Sequence, residues 1–229
     1  MIKPNYISPD GKIRFYNCSY ERLFEIGTTW DLAIVDPPYG IDFTKYKRVS
    51  KASNGDRYIS NNYKKGAWDK SVPNLNYFDL LFKNSKDQII WGGNYFGLSA
   101  NQCFIFWYKQ NPVPNFSDGE YAWTSFNKPA KCFNYKYYGN LEGKTIASEK
   151  YHPTQKPIAL YKWQLKEFAK PNQSIIDTHG GSMSHAIAVH DVNIALDMNL
   201  TLDICEIDTD YFNDAVKRFK NHVAQKQLF

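Results

Sequence analysis

The chain has 229 residues, 43% of them hydrophobic and 22% charged, and a net charge of +5. That is the composition of one globular domain with a full core, and it excludes a disordered, collagen-like or coiled-coil chain. The longest apolar stretch, about Cys103 to Tyr108, is far short of the ~20 residues of a membrane-spanning helix, and Met1–Tyr6 lacks the apolar run of a signal peptide, so a cytoplasmic protein with no membrane partner is expected.

In chain order, Lys12–Tyr16 alternates and predicts a strand. Ser19 is placed to cap a short helix carrying Leu23, Phe24 and Ile26. Asp31–Val35 is a short apolar run that stops at Asp36-Pro37-Pro38. Two prolines cannot continue a central strand, so the chain turns out at the strand's end. A polar loop follows to about Ser71, then Asn74–Phe82 spaces Leu75, Phe78, Leu81 and Phe82 as a helix face. Gln88–Trp91 and Cys103–Tyr108 read as buried strands, and Tyr121–Phe126 and Cys132–Tyr138 as further strands. Pro157 suits the first position of a helix to about Ala169. Ser174–Asp177 is a strand, Gly180-Gly181-Ser182 opens a helix, and Leu202–Glu206 is a strand. Asp208 caps a last helix with Tyr211, Phe212, Ala215, Val216 and Phe219 on its apolar face. This alternation predicts an α/β sheet with helices on both faces.

The charge is concentrated. Between residues 45 and 70 lie eight basic residues, Lys45, Lys47, Arg48, Lys51, Arg57, Lys64, Lys65 and Lys70, against Asp56 and Asp69, a local charge of +6 that leaves the rest of the chain nearly neutral. Aromatic residues, 17% overall, interleave with these lysines and recur near 107–138. Stacking surfaces beside positive charge suit unpaired or flipped bases, and a solvated surface loop beside core aromatics fits the same composition. Cys18, Cys103, Cys132 and Cys205 form no C-x-x-C pair, and the spacings of His179, His185 and His190 fit no common metal site, so neither a disulfide framework nor a metal is expected.

Three segments carry chemistry. Asp36-Pro37-Pro38-Tyr39 brings a carboxylate, stiff backbone carbonyls and an aromatic face to one strand end, where open α/β sheets place ligands. Two acceptors there can take both hydrogens of an exocyclic amino group while the ring stacks on a base. Asp177-Thr178-His179-Gly180-Gly181-Ser182 lets the backbone approach a ligand closely and offers helix-start amides to a carboxylate or ribose. Glu206, at the end of the next strand, is placed to accept from ribose hydroxyls. His152-Pro153-Thr154-Gln155-Lys156-Pro157 taken alone is a loop with a helix start, and its lysine reads equally as a site residue or as a solvated charge.

Together these segments resemble the DNA amino-methyltransferases that use S-adenosylmethionine, in the order of the β subgroup and most like its compact phage and prophage members. Ile89–Phe96, Trp123–Phe126 and Cys205–Asp208 with Tyr211 also look like that family, so the resemblance spans about residues 12–220. It implies an α/β Rossmann-like methyltransferase fold: a mostly parallel seven-stranded sheet with one antiparallel strand and helices on both faces. It implies one domain over 1–229, with DNA-contact insertions at 45–70 and 109–150. The reaction implied is transfer of a methyl group from S-adenosylmethionine to N6 of a flipped adenine by direct in-line displacement. Asp36 and the Pro37 carbonyl would accept the amino hydrogens, Pro38 would shape the turn and Tyr39 would stack on the base. Asp36, Asp177, His179, Gly180, Gly181 and Ser182 would surround the cofactor, with Thr154 and Lys156 near its carboxylate. Glu206 would hold its ribose, Ile207 would also contact the cofactor, and Asn17 and Cys18 would lie near its adenine. DNA contacts would fall to Lys45, Lys47, Arg48, Lys51, Arg57, Lys64 and Lys65. His179 stands where the family most often has Phe, and Met183 where it often has Gly. N4-cytosine methylation, a catalytically weak DNA- or cofactor-binding regulator and an RNA substrate stay open as alternatives. Gln225-Lys226-Gln227-Leu228-Phe229 resembles the peptide by which bacterial replication proteins engage the sliding clamp, and the family's habit implies a homodimer.

Overall fold

The computed structural model describes residues 2–41, 49–51, 57–59, 72–110, 117–138, 141–142, 146–147, 151–152 and 154–225. Lys45, Lys47, Arg48, Lys64 and Lys65 lie outside these, as do residues 226–229 of the clamp-like peptide. The elements are β1 (Tyr6–Ile7), β2 (Ile13–Tyr16), α1 (Tyr20–Phe24), β3 (Trp30–Val35), β4 (Val49–Lys51), β5 (Arg57–Ile59), α2 (Leu75–Asn84) and β6 (Ser85–Trp91). They continue with β7 (Phe104–Tyr108), β8 (Gly119–Thr124), β9 (Lys131–Asn134), β10 (Tyr137–Tyr138), β11 (Leu141–Glu142) and β12 (Ile146–Ala147). The chain closes with α3 (Ile158–Phe168), β13 (Ser174–Asp177), α4 (Ser184–Leu196), β14 (Thr201–Cys205) and α5 (Thr209–Ala224).

Among the described residues one nine-stranded sheet runs β1-β2-β14-β13-β3-β6-β8-β7-β9. The expected seven-stranded sheet is its interior, β2 to β7, with β8 as the antiparallel strand. The count is corrected at both edges: β1 adds a second antiparallel strand beside β2, and β9 pairs in parallel with β7. Both are short or alternate exposed with half-buried residues, so neither has the apolar run that marks a central strand. β8 and β9 lie within 109–150, so that stretch contributes to the main sheet as well as to any insertion. β4 and β5 form a separate two-stranded ladder in which Lys51 is opposite Arg57.

The central strands are apolar on both faces because both faces are covered. One core joins Leu32, Ile34, Ile89 and Ile204 to α3, α4 and α5, and the other joins Ala33, Val35 and Ile90 to α1 and α2. Asp208 caps α5 by accepting from the Asp210 and Tyr211 amides, and the helix buries Phe212, Ala215, Val216 and Phe219. Phe219 meets the Phe15 ring at 4.9 Å. Fully burying side chains of this size contributes roughly 1.5–3 kcal/mol each. β7 departs from the buried strand expected: Ile105 and Trp107 are buried, but Phe104, Phe106 and Tyr108 on the opposite face are exposed. That face lies beyond the reach of α2, which packs on β6.

The topology fixes where a ligand goes. From β3 the chain steps through α2 to β6 on one side, whereas from β13 it steps through α4 to β14 on the other. β3 and β13 are parallel neighbours. The crevice beyond their carboxyl ends is therefore the switch point of the sheet, where open α/β folds bind ligands.

Candidate active site

Asp36 leaves the end of β3 and Asp177 ends β13, so the two motifs flank that crevice. The Asp36 carboxylate takes the Tyr39 hydroxyl on Oδ1 at 2.7 Å and the Lys156 ammonium on the same oxygen at 2.5 Å. Among the described residues nothing hydrogen-bonds Oδ2. The Tyr39 ring stacks on Tyr95, with centroids 5.2 Å apart and planes 15° from parallel. Gly92, at φ +71°, makes room for it: a Cβ there would lie 2.2 Å from Tyr39 Cε1. Pro37 is buried and Pro38 lines the crevice.

Of the two readings open for Lys156, the solvated charge does not hold. It is 5% exposed, and its Nζ joins Asp36, Tyr39 (3.1 Å) and the Glu120 carboxylate (3.2 Å). Glu120 is in turn paired with Lys109. Four buried or half-buried charges thus alternate in sign. Burial pushes Glu120 up, but Lys156 and Lys109 outweigh it and bring it down to about 2. Burial also pushes Asp36 up, and here the nearby Glu120 adds to the rise against the pull of Lys156, so Asp36 stays above an ordinary aspartate. Lys156 is pushed down by burial but held above its usual value by its two carboxylates. Lys156 is thus tied to Asp36, Tyr39 and Glu120 as well as lining the cavity, where the resemblance gave it only the cofactor's carboxylate.

On the β13 side, the Gly180 amide donates to the Cys205 carbonyl at 2.7 Å, and a Cβ on Gly180 would meet Ile204 Cγ1 at 2.9 Å. The Gly181 amide donates to Glu206 Oε2 at 2.8 Å, and the Asp208 amide to Oε1 at 2.9 Å. Burial raises Glu206, and those amides work against the rise. Asp177 anchors the loop: Oδ1 accepts the His179 amide at 3.1 Å and Oδ2 meets His185 Nδ1 at 3.0 Å. Helix α4 starts only at Ser184, because Met183 at its N-cap adopts φ +53°, the left-handed region that favours glycine. The departure at Met183 thus carries a strain on the order of 1 kcal/mol, held by a fully buried side chain.

His179 acts as an aromatic ring. It packs edge-on to Tyr77 at 5.3 Å and meets Thr178 Oγ1 at 2.9 Å. Burial holds it at about 4, so it is neutral near pH 7, as a phenylalanine would be. His152 is also held at about 4 by burial and by the nearby Lys156, and its ring abuts Tyr211 at 4.6 Å.

These residues enclose a cavity of about 540 Å³, within the usual range for a small-molecule site. Of the residues named as cofactor contacts, Asp36, Lys156, Thr154, Cys18, Gly180, Gly181, Ser182, His179, Glu206 and Ile207 line it. Asn17 and Asp177 are not among its lining; Asn17 instead holds the Glu206 carbonyl at 2.9 Å. Tyr20, Tyr161, His152 and Tyr211 line it without having been foreseen.

The fold is that of the Rossmann-like methyltransferases. No family model matches the chain. The Type II methyltransferase M2.MboI of Moraxella bovis is 25% identical over 276 aligned positions, covering 98% of this chain and 96% of that protein. Among solved structures, the M1.HpyAVI–SAM complex superposes with a TM-score of 0.56 at 21% identity, over 90% of this chain and 99% of that one. The PvuII DNA methyltransferase, described as cytosine-N4-specific, gives 0.55 at 12% identity, over 99% of this chain and 90% of that one. A putative DNA modification methylase from Thermus thermophilus, complexed with S-adenosyl-L-methionine, gives 0.51 at 13% identity, over 93% and 95%. The resemblance read from the motifs is borne out: the chain is similar to DNA methyltransferases along nearly its whole length.

Proposed function

We propose that this protein is an S-adenosylmethionine-dependent DNA methyltransferase that modifies N6 of an adenine flipped out of the duplex. The observation that carries the reading is the Asp36–Tyr39 turn and the Gly180–Gly181 loop facing each other across one crevice, with Glu206 beside the glycines. The residues fit the cofactor. Gly180 and Gly181 line the cavity with bare backbone, Glu206 keeps unused lone pairs on oxygens that already accept backbone amides, and Ile207, 67% exposed at the rim, offers an apolar surface. When bound, S-adenosylmethionine supplies an electrophilic methyl group on its sulfonium.

The chain's own residues would do the rest. Asp36, through Oδ2, and the Pro37 carbonyl accept the two amino hydrogens and turn the nitrogen lone pair out of conjugation with the ring. Asp36 would take the proton that the amino nitrogen gives up on methylation, and its raised proton affinity suits it as that acceptor. Tyr39 supports the base by its ring face. Positioning supplies most of the rate. Basic residues 45–70 hold the duplex through its phosphates. The family resemblance supports adenine over cytosine, since it associates an aspartate at the first position of the turn with adenine.

The test is to incubate purified protein with unmethylated DNA and S-adenosylmethionine, digest to nucleosides and analyse by mass spectrometry. N6-methyladenine is expected. N4-methylcytosine would keep the site and change the base, and cofactor binding with no methylated nucleoside would move the reading to a regulator or an RNA enzyme.

A further inference from the structure

Glu120 lies on β8, two strands away from the strand that delivers Asp36, with β6 between them. Among the described residues it is joined to Asp36 only through Lys156, whose Nζ stands 3.2 Å from Glu120 Oε2 and 2.5 Å from Asp36 Oδ1. Lys156 is almost fully buried, its ammonium 5.1 Å from the Trp91 ring centroid. A buried ammonium needs an anion. With Asp36 as its sole carboxylate it would bind that group as a closed ion pair and compete with an incoming amino group for the acceptor oxygens. A second carboxylate on the far side lets the ammonium shift its charge toward Glu120 when Asp36 is engaged elsewhere. Lys156 itself does most to keep Glu120 ionised, with Lys109 on the other Glu120 oxygen second, so Glu120 remains an anion when Lys109 alone is lost.

Resting on the methyltransferase reading above, we infer that Glu120 is a positioning residue for the reaction: it shares the Lys156 ammonium and so keeps Asp36 open to the target amino group. Asp36 is faced by Tyr39 from its own turn, by Lys156 with His152 behind it, by Tyr161 on α3, and by Glu120 with Lys109 from β8 and the end of β7. Of these, only the Glu120–Lys109 pair can be altered without removing a group that lines the cavity or touches Asp36.

Two variants pull Asp36 in opposite directions. E120Q removes the distant anion, so the proton affinity of Asp36 falls; K109Q removes the distant cation, so it rises. In single-turnover methyl transfer at saturating cofactor, E120Q is expected to lower the rate at least about tenfold and to move the acid limb of the pH profile down by about half a unit or more. K109Q moves that limb up, and E120D recovers part of the rate. A slower E120Q with an unmoved acid limb would mark Glu120 as merely structural and overturn the inference. If E120Q does not fold, the upward shift in K109Q still decides, and an unmoved limb there overturns the inference equally. Carbon-13 titration of the Asp36 carboxyl, assigned against D36N, reads the same coupling without catalysis. A wild-type protein that methylates no DNA defeats the methyltransferase reading, while an Asp36 midpoint that is the same in wild type, E120Q and K109Q defeats this one.

Discussion

Replacing His179 by Phe isolates what burial does to this histidine. In the folded chain it titrates at about 4, against about 6.5 for an unfolded histidine. Between those values the unfolded state binds more protons, so folding stability contributed by the neutral ring is complete above pH 6.5, is lost as pH falls below it, and levels off below pH 4. At pH 5 the unfolded histidine is about 1.5 pH units below its midpoint, which makes protonation worth on the order of 2 kcal/mol in favour of unfolding. The full shift corresponds to roughly 3 kcal/mol. His152, shifted in the same direction, adds a similar amount in both proteins and cancels in the comparison. H179F also gives up the Thr178 contact, a loss of about 1 kcal/mol that barely depends on pH. Urea denaturation of wild type and H179F at pH 7.5 and pH 5.0 measures the difference. Wild type should lose about 2 kcal/mol more than H179F between the two pH values, while the cofactor affinity of H179F at pH 7.5 stays within about threefold. Equal losses in the two proteins would refute the reasoning and mean that the imidazole is protonated or solvated in the fold.

Other substitutions probe other parts of the site. G180A drives a Cβ to 2.9 Å from Ile204 Cγ1 and 3.1 Å from the Cys205 carbonyl; it should cost roughly 1–3 kcal/mol in thermal unfolding and weaken cofactor binding by calorimetry. Replacing Lys47, Arg48 and Lys51 with Ala should make the logarithmic salt dependence of DNA binding shallower by about 2–3. An unchanged slope would remove residues 45–51 from the interface. Full-length protein should be retained by purified sliding clamp and a truncation after Ala224 should not; equal retention would assign the contact elsewhere.

The scaffold was legible where one residue pattern serves one physical demand. β3, β13 and β14 are apolar on both sides because helices cover both faces, and the Pro37-Pro38 pair announces where β3 must end. Gly180, Gly181 and Glu206 could be placed because a glycine turn and a carboxylate follow two neighbouring strands. Edge strands β1 and β9 have no such demand on them, and β7 alternates because only one of its faces meets a helix or a loop. The charge chain was illegible for a different reason. Glu120 begins a strand and reads as an ordinary surface carboxylate, and Lys156 sits in a loop before α3. Only the sheet order brings both to Asp36, across 84 residues on one side and 120 on the other. Tyr20 and Tyr161 share that fate, since an aromatic on a helix face reads equally as core or as cavity wall.

The division of labour across the crevice comes down to Asp36, and one variant tests it. D36A should still bind S-adenosylmethionine saturably through the glycine loop and Glu206. At saturating cofactor, its single-turnover methyl transfer to DNA should be at least about 10²-fold slower than wild type. Transfer by D36A within about threefold of wild type under the same conditions would contradict the assignment of the reacting centre to the Asp36–Tyr39 turn.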